Sequence, residues 1–120
     1  MNKKTLVIGA SEHLDRYSNQ AVRLLNKFGH EVKALGVQAG WIEKTQIEVV
    51  PPKDQDFDTV TMYLNPQRQK SVEDYILSLN PKRIIFNPGT ENDDFASKAI
   101  EQGIEVENAC TLVMLRTHQY

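Results

Sequence analysis

The most constraining stretch of the sequence is a short apolar run, Leu6-Val7-Ile8, that ends in Gly9-Ala10-Ser11 and leads to a helical pattern from Gln20 to Phe28. A continuous apolar run of this kind suits a parallel strand buried on both faces. Strand, tight turn and helix in that order build an anion site. The first N–H groups of a helix have no intrahelical acceptor, and the helix dipole places partial positive charge there. Gly9 permits a backbone conformation that other residues resist and lets a ligand come close. Ser11 adds a hydroxyl. Arg16 adds a fixed cation whose fork matches phosphate oxygens. The turn therefore points to the phosphates of a nucleotide-like small molecule.

The rest of the chain repeats the alternation. Ala21, Leu24, Leu25 and Phe28 share one helical face, with Ser18 or Asn19 as the expected cap and Gly29 as the stop. Strands are expected at Glu31–Leu35, Phe57–Leu64, Arg83–Phe86 and Ile104–Val106. Helices are expected from Asn65-Pro66 to Leu79 and from about Asn92 to Gln102. Thr111–Leu115 reads as a short helix or an extended tail. Residues 37–55 are the least legible. They read as a long connection with a candidate short strand at Ile47–Val50, stopped by Pro51-Pro52. With 120 residues this makes one domain, 1–120: an α/β, Rossmann-like, doubly wound parallel sheet of five strands with helices on both faces.

Ligands of such sheets bind where strand order reverses, outside the carboxyl ends of the strands. The candidates are thus the residues just after each strand: Gly9-Ala10-Ser11, Gly36-Val37, Leu64-Asn65-Pro66, Asn87-Pro88-Gly89 and Asn108-Ala109-Cys110. The first turn lacks two of the three glycines of a dinucleotide fingerprint, and no Gly-Lys-Ser/Thr of a Walker loop follows. After the second strand stand Gly36, Val37 and Gln38, where a dinucleotide site wants an acid for the ribose hydroxyls. Two other classes stay open at this point. One is an NAD(P)- or other nucleotide-binding redox regulator or enzyme. The other is an interaction module that has lost its ligand.

A resemblance narrows this. Val7-Ile8-Gly9-Ala10-Ser11, Arg16-Tyr17-Ser18-Asn19, Gly29-His30-Glu31-Val32, Phe57-Asp58-Thr59-Val60, Asn87-Pro88-Gly89 and Gly103-Ile104-Glu105-Val106 with Cys110 occur in that order. From about Lys4 to Leu115 the chain resembles the small stand-alone CoA-binding proteins of bacteria, whose domain is similar to the N-terminal domain of the succinyl-CoA synthetase α subunit. The resemblance implies binding of coenzyme A or an acyl-CoA without catalysis. By it, Gly9, Ala10, Ser11, Arg16 and Ser18 or Asn19 face the phosphates. Gly36 and Val37 lie beside the adenosine, and Tyr63, Leu64, Asn87, Pro88 and Gly89 line the pocket nearer the pantetheine. The sequence departs from the family at Gly36-Val37, where Asn-Pro is usual. The synthetase's phosphohistidine belongs to a further domain, so ligase activity does not carry across.

Other chemistry is thin. With 14 basic and 16 acidic residues the net charge is −2, too balanced for a nucleic-acid or membrane surface. Leu6–Ile8 is too short for a secretory signal or a membrane span. The single Cys110 excludes an internal disulfide and fits a reducing cytoplasm. Its place after the last strand allows a mixed disulfide with a ligand thiol, though burial as a small apolar side chain is the more ordinary role. His13, His30 and His118 show no metal-ligand spacing, so no metal is expected. His30, just past a helix end, sits where a partial cation is favoured. No nucleophile and base pair up, so no catalytic residue is assigned.

Overall fold

The computed structural model describes residues 2–120. Seven strands form one sheet: β1 (Thr5–Ile8), β2 (Val32–Leu35), β3 (Gly40–Ile42), β4 (Thr45–Glu48), β5 (Thr59–Met62), β6 (Arg83–Phe86) and β7 (Glu105–Asn108). Five helices accompany them: α1 (Tyr17–Lys27), α2 (Pro66–Gln69), α3 (Glu73–Leu79), α4 (Asp93–Glu101) and α5 (Thr111–Arg116). The strand order is β3-β4-β2-β1-β5-β6-β7, parallel throughout except for β3 against β4. The α/β expectation holds, but the sheet has seven strands instead of five and is not wholly parallel.

The two further strands lie inside the segment read as a long connection. β4 begins two residues before the candidate strand Ile47–Val50 and pairs parallel with β2 only through Ala34–Ile47 and Leu35–Glu48. β3 folds back on β4 through Glu43-Lys44, with Glu43 at φ 52°. Two-residue hairpins usually announce themselves with Asn-Gly or Asp-Gly, and Glu-Lys carries no such signal. The helix expected from Asn65 to Leu79 is also interrupted. Asn65 caps α2 by accepting from the Arg68 N–H, and Gln69 then turns inward to donate to the Leu64 and Thr90 carbonyls at 2.8 Å each. α3 starts anew after Val72. The tail after Cys110 settles as the helix α5.

β1 is the spine. It is buried along its whole length, with β2 on one side and β5 on the other. Alternate residues feed two cores. Leu6 and Ile8 join Val60, Met62, Ile84 and Phe86 under Ile76 and Leu79 of α3 and Phe95 and Ala99 of α4. Val7 and Ala34 face Val22 and Leu25 of α1 and Leu115 of α5. That period-two split places helices on both faces of the sheet.

Residues 49–58 cross from the carboxyl end of β4 to the amino end of β5, and ion pairs hold this strap. The Lys4 ammonium donates to Asp54 and Asp56 at 2.7 Å each, with Glu31 at 3.5 Å. Burial by itself would push Lys4 down, but the two carboxylate bonds outweigh it and hold it above its ordinary value. The bond from Lys4 in turn holds Asp54 and Asp56 below the usual carboxylate range. A carboxylate depressed in the folded state stabilises it above the unfolded pKa, and that contribution is lost as pH falls through the folded pKa. Thermal stability should therefore drop as pH falls below about 4. Asp54→Asn should flatten that drop, and scanning calorimetry between about pH 6 and pH 3 reads it; equal pH slopes for the two proteins would refute the role of Asp54.

Candidate functional site

Strand order reverses at β1, so the crevice to inspect lies above the carboxyl ends of β1, β2 and β5. The turn after β1 is pulled tightly against β2. The N–H groups of Gly9 and Ala10 both donate to the Leu35 carbonyl, at 2.8 and 3.0 Å. Those two amides are therefore spent inside the protein, and what Gly9 and Ala10 offer a ligand is room. Gly9 has φ +96°, and a Cβ there would sit 3.0 Å from the backbone carbon of Tyr63. Gly36 serves the same junction from β2. A Cβ on it would lie 2.5 Å from the Ala10 carbonyl oxygen and 2.9 Å from Ile47.

The loop then runs to Arg16, the N-cap of α1, whose side chain makes no capping bond. Ser18 and Asn19, expected as caps, stand instead in the first turn and are buried. The Asn19 amide donates to the Ser11 carbonyl at 2.8 Å. Its own oxygen accepts from Arg23 Nε at 2.7 Å, and Arg23 Nη2 donates to the Leu14 carbonyl at 2.9 Å. Asn19 thus braces the loop from inside. The Ser11 hydroxyl accepts from the His13 N–H at 3.1 Å. Among the described residues, the N–H groups of Ser11, Tyr17 and Ser18 find no protein acceptor, and the exposed Arg16 guanidinium pairs with no carboxylate. Open amides at a helix start beside an uncommitted guanidinium make a cradle suited to anionic oxygens.

An apolar slot of ≈ 360 Å³ shares Gly9 with this turn. Its walls are Ile8 and Gly9 from the end of β1, Leu35, Gly36 and Val37 from the end of β2, Val49 and Pro51 after β4, and Leu64, Ser71 and Val72 before α3. No acid lines it. Four of the residues expected from the sequence meet here: Gly9, Gly36, Val37 and Leu64. Ile8, Leu35, Val49, Pro51, Ser71 and Val72 complete the lining and lie outside the residues expected from the sequence. Val49 and Pro51 follow the parallel strand β4, which the sequence offers only as the candidate strand Ile47–Val50, with Val49 inside it. The strap bearing Pro51 is fastened by the Tyr75 hydroxyl, which donates to the Pro52 carbonyl at 2.7 Å. Burial, with Asp54 and Glu48 nearby, pushes that phenol up to about 12.

Tyr63 and Asn87 are placed differently. Tyr63 turns to the α1 and α5 side of the sheet. Its hydroxyl is buried without a hydrogen-bond partner, and burial raises the phenol above its ordinary value. Asn87, 2% exposed, donates to Thr61 Oγ1 and the Met62 carbonyl and accepts from the Thr111 N–H, which ties β5, β6 and α5 together. Pro88 and Gly89 are exposed beside it. Cys110 is the half-buried N-cap of α5. Among the described residues no three metal-ligating side chains gather, and no helix is long and apolar enough to cross a membrane. His30, expected where a partial cation is favoured, lies in surroundings that disfavour its charge. Burial and the neighbouring cations lower its pKa, and Nδ1 accepts the Lys3 N–H at 2.9 Å.

A family model described as "CoA binding domain" matches residues 3–116. The chain belongs to the CoA-binding domain family. A crystal structure of an uncharacterized protein is 44% identical to this CoA-binding domain, covers 100% of the chain and 99% of its own, and superposes with a TM-score of 0.97. A hypothetical protein from Pyrococcus horikoshii is 22% identical, over 98% of this chain and 82% of its own, with a TM-score of 0.83. A protein from Thermus thermophilus is 20% identical, over 98% and 91%, with a TM-score of 0.82. The last two establish the shared fold. None of the curated proteins compared with the chain matches it.

The junction between β1 and β2 sets both the turn and the slot of this CoA-binding domain. Gly36→Ala should cost about 1–3 kcal/mol in urea unfolding, because the contact on Ala10 is backbone and cannot yield cheaply. Wild-type stability in that variant would show that the junction is loose.

Proposed function

We propose that this chain binds coenzyme A or an acyl-CoA at the reversal of strand order and performs no catalytic step of its own. The observation that carries the reading is that, in a member of the CoA-binding domain family, Gly9 of the turn leading to α1 also lines the acid-free apolar slot. Ser11, the first amides of α1 and Arg16 hold the phosphates. The adenosine lies in the slot against Gly36, Val37, Val49 and Pro51. Without a carboxylate in the slot, the ribose diol goes unread by the side chains that select a nicotinamide dinucleotide. The pantetheine arm runs toward Pro88 and Gly89, whose exposed surface lies over the braced Asn87.

Isothermal titration with coenzyme A, acetyl-CoA, NAD and NADP tests the ligand. Tight binding of coenzyme A or acetyl-CoA is expected, and binding of a nicotinamide cofactor without coenzyme A would overturn the proposal. Arg16→Ala should weaken coenzyme A binding by about 1.5–3 kcal/mol, the scale of a hydrogen bond to a charged group, with the fold intact. An unchanged affinity would remove Arg16 from the site.

A further inference from the structure

Glu12 sits in the turn that faces the ligand, one residue after Ser11. A carboxylate there opposes any phosphate that the turn would hold. Its side chain is not free. Oε2 accepts the Trp41 N–H at 2.8 Å, twenty-nine residues further along the chain. Trp41 lies in β3, at the end of the strand order, so its N–H is an edge donor with no strand to pair with. Glu12 and the other acid of the turn, Asp15, are both exposed, and among the described residues Asp15 has no such backbone donor.

Gly40 completes the arrangement. A Cβ at this position would lie 2.2 Å from Glu12 Cδ and 2.4 Å from its Oε2. The backbone of Gly40 is not left-handed, so conformation does not call for glycine here. Gly29, Gly89 and Gly103 are the reverse case, with positive φ and open space around the missing Cβ. The glycine in β3 is a socket for the Glu12 carboxylate.

We propose that the β3–β4 hairpin is a latch that holds the Glu12 carboxylate at the β3 edge, so that the turn presents amides and Arg16 to a phosphorylated ligand. Gly40 and the Trp41 N–H are its two halves, and they act on binding through Glu12 without touching the ligand. The inference rests on the anion-binding reading of the turn given above. It predicts that filling the socket harms binding only while residue 12 carries charge.

The test is a cycle of Gly40→Ala, Glu12→Gln and the double variant, titrated with coenzyme A and separately with inorganic pyrophosphate at low ionic strength. The added methyl of Gly40→Ala meets the far end of a flexible side chain, so folding survives, and thermal melts check that. Gly40→Ala should bind about tenfold more weakly, as expected for an uncompensated like charge near the ligand. Glu12→Gln keeps an oxygen for the Trp41 N–H and should bind as wild type or slightly better. The double variant should regain wild-type affinity. A double variant as weak as Gly40→Ala, or a Gly40→Ala variant that binds as wild type, overturns the latch. The backbone amide resonance of Trp41 supplies a readout without ligand. It should shift in Gly40→Ala as its acceptor leaves, and an unmoved resonance also overturns the proposal. Pyrophosphate binding that follows the cycle while coenzyme A fails to bind would overturn the ligand assignment and leave the latch standing. If wild type binds neither probe, the latch has no anion to protect and falls.

Discussion

The whole arrangement depends on one carbonyl. Leu35 ends β2, and its oxygen accepts from both Gly9 and Ala10. That pair of bonds bends the chain sharply at the end of β1, presses Gly36 against the Ala10 carbonyl, and sends residues 11–16 out over the strand ends before α1 begins. Everything at the candidate site is measured from this junction. A side chain at residue 36 would separate β1 and β2 where the slot begins, and one at residue 9 would strike the end of β5. The glycines at these positions are consequences of packing density at the crossing of three strands.

The five strands legible in the sequence stand side by side as β2-β1-β5-β6-β7, joined by continuous four-residue parallel ladders, and all but β7 carry apolar or β-branched residues at buried positions. β3 carries neither signal, and β4 shows only as the candidate strand Ile47–Val50, two residues out of place. Three and four residues long, they alternate buried with exposed positions, and they turn through Glu43-Lys44. Their identity as strands comes from the edge of β2 and not from their own propensity, which is the ordinary way tertiary context overrides local preference. The broken helix after Asn65 has a similar origin, because buried Gln69 spends its amide on two distant carbonyls.

At the site, the position of the turn was legible and its internal bonding was not. A glycine, a serine and an arginine between a strand and a helix can be read from spacing alone. That Gly9 and Ala10 would have committed amides, that Asn19 would brace Ser11, or that Asn87 would be a tie between strands depends on which partner lies within 3 Å. A single sequence does not encode those distances. The slot shows the same division: the residues that follow the legible strands were found, and Val49, Pro51, Ser71 and Val72 required the hairpin and the helix break to be known.

The strap of residues 49–58 gives the slot an unusual mechanical character. Its first residues form one slot wall at the carboxyl edge of the sheet, yet Lys4, which grips Asp54 and Asp56, stands at the amino edge beside β1. Tyr75 pins the strap midway through Pro52. The strap wall of the slot is thus tied at two points, and a tied wall costs less entropy to order than a free one. The shape of the slot is thereby governed in part from the opposite end of the strands, by Lys4, Asp54 and Asp56.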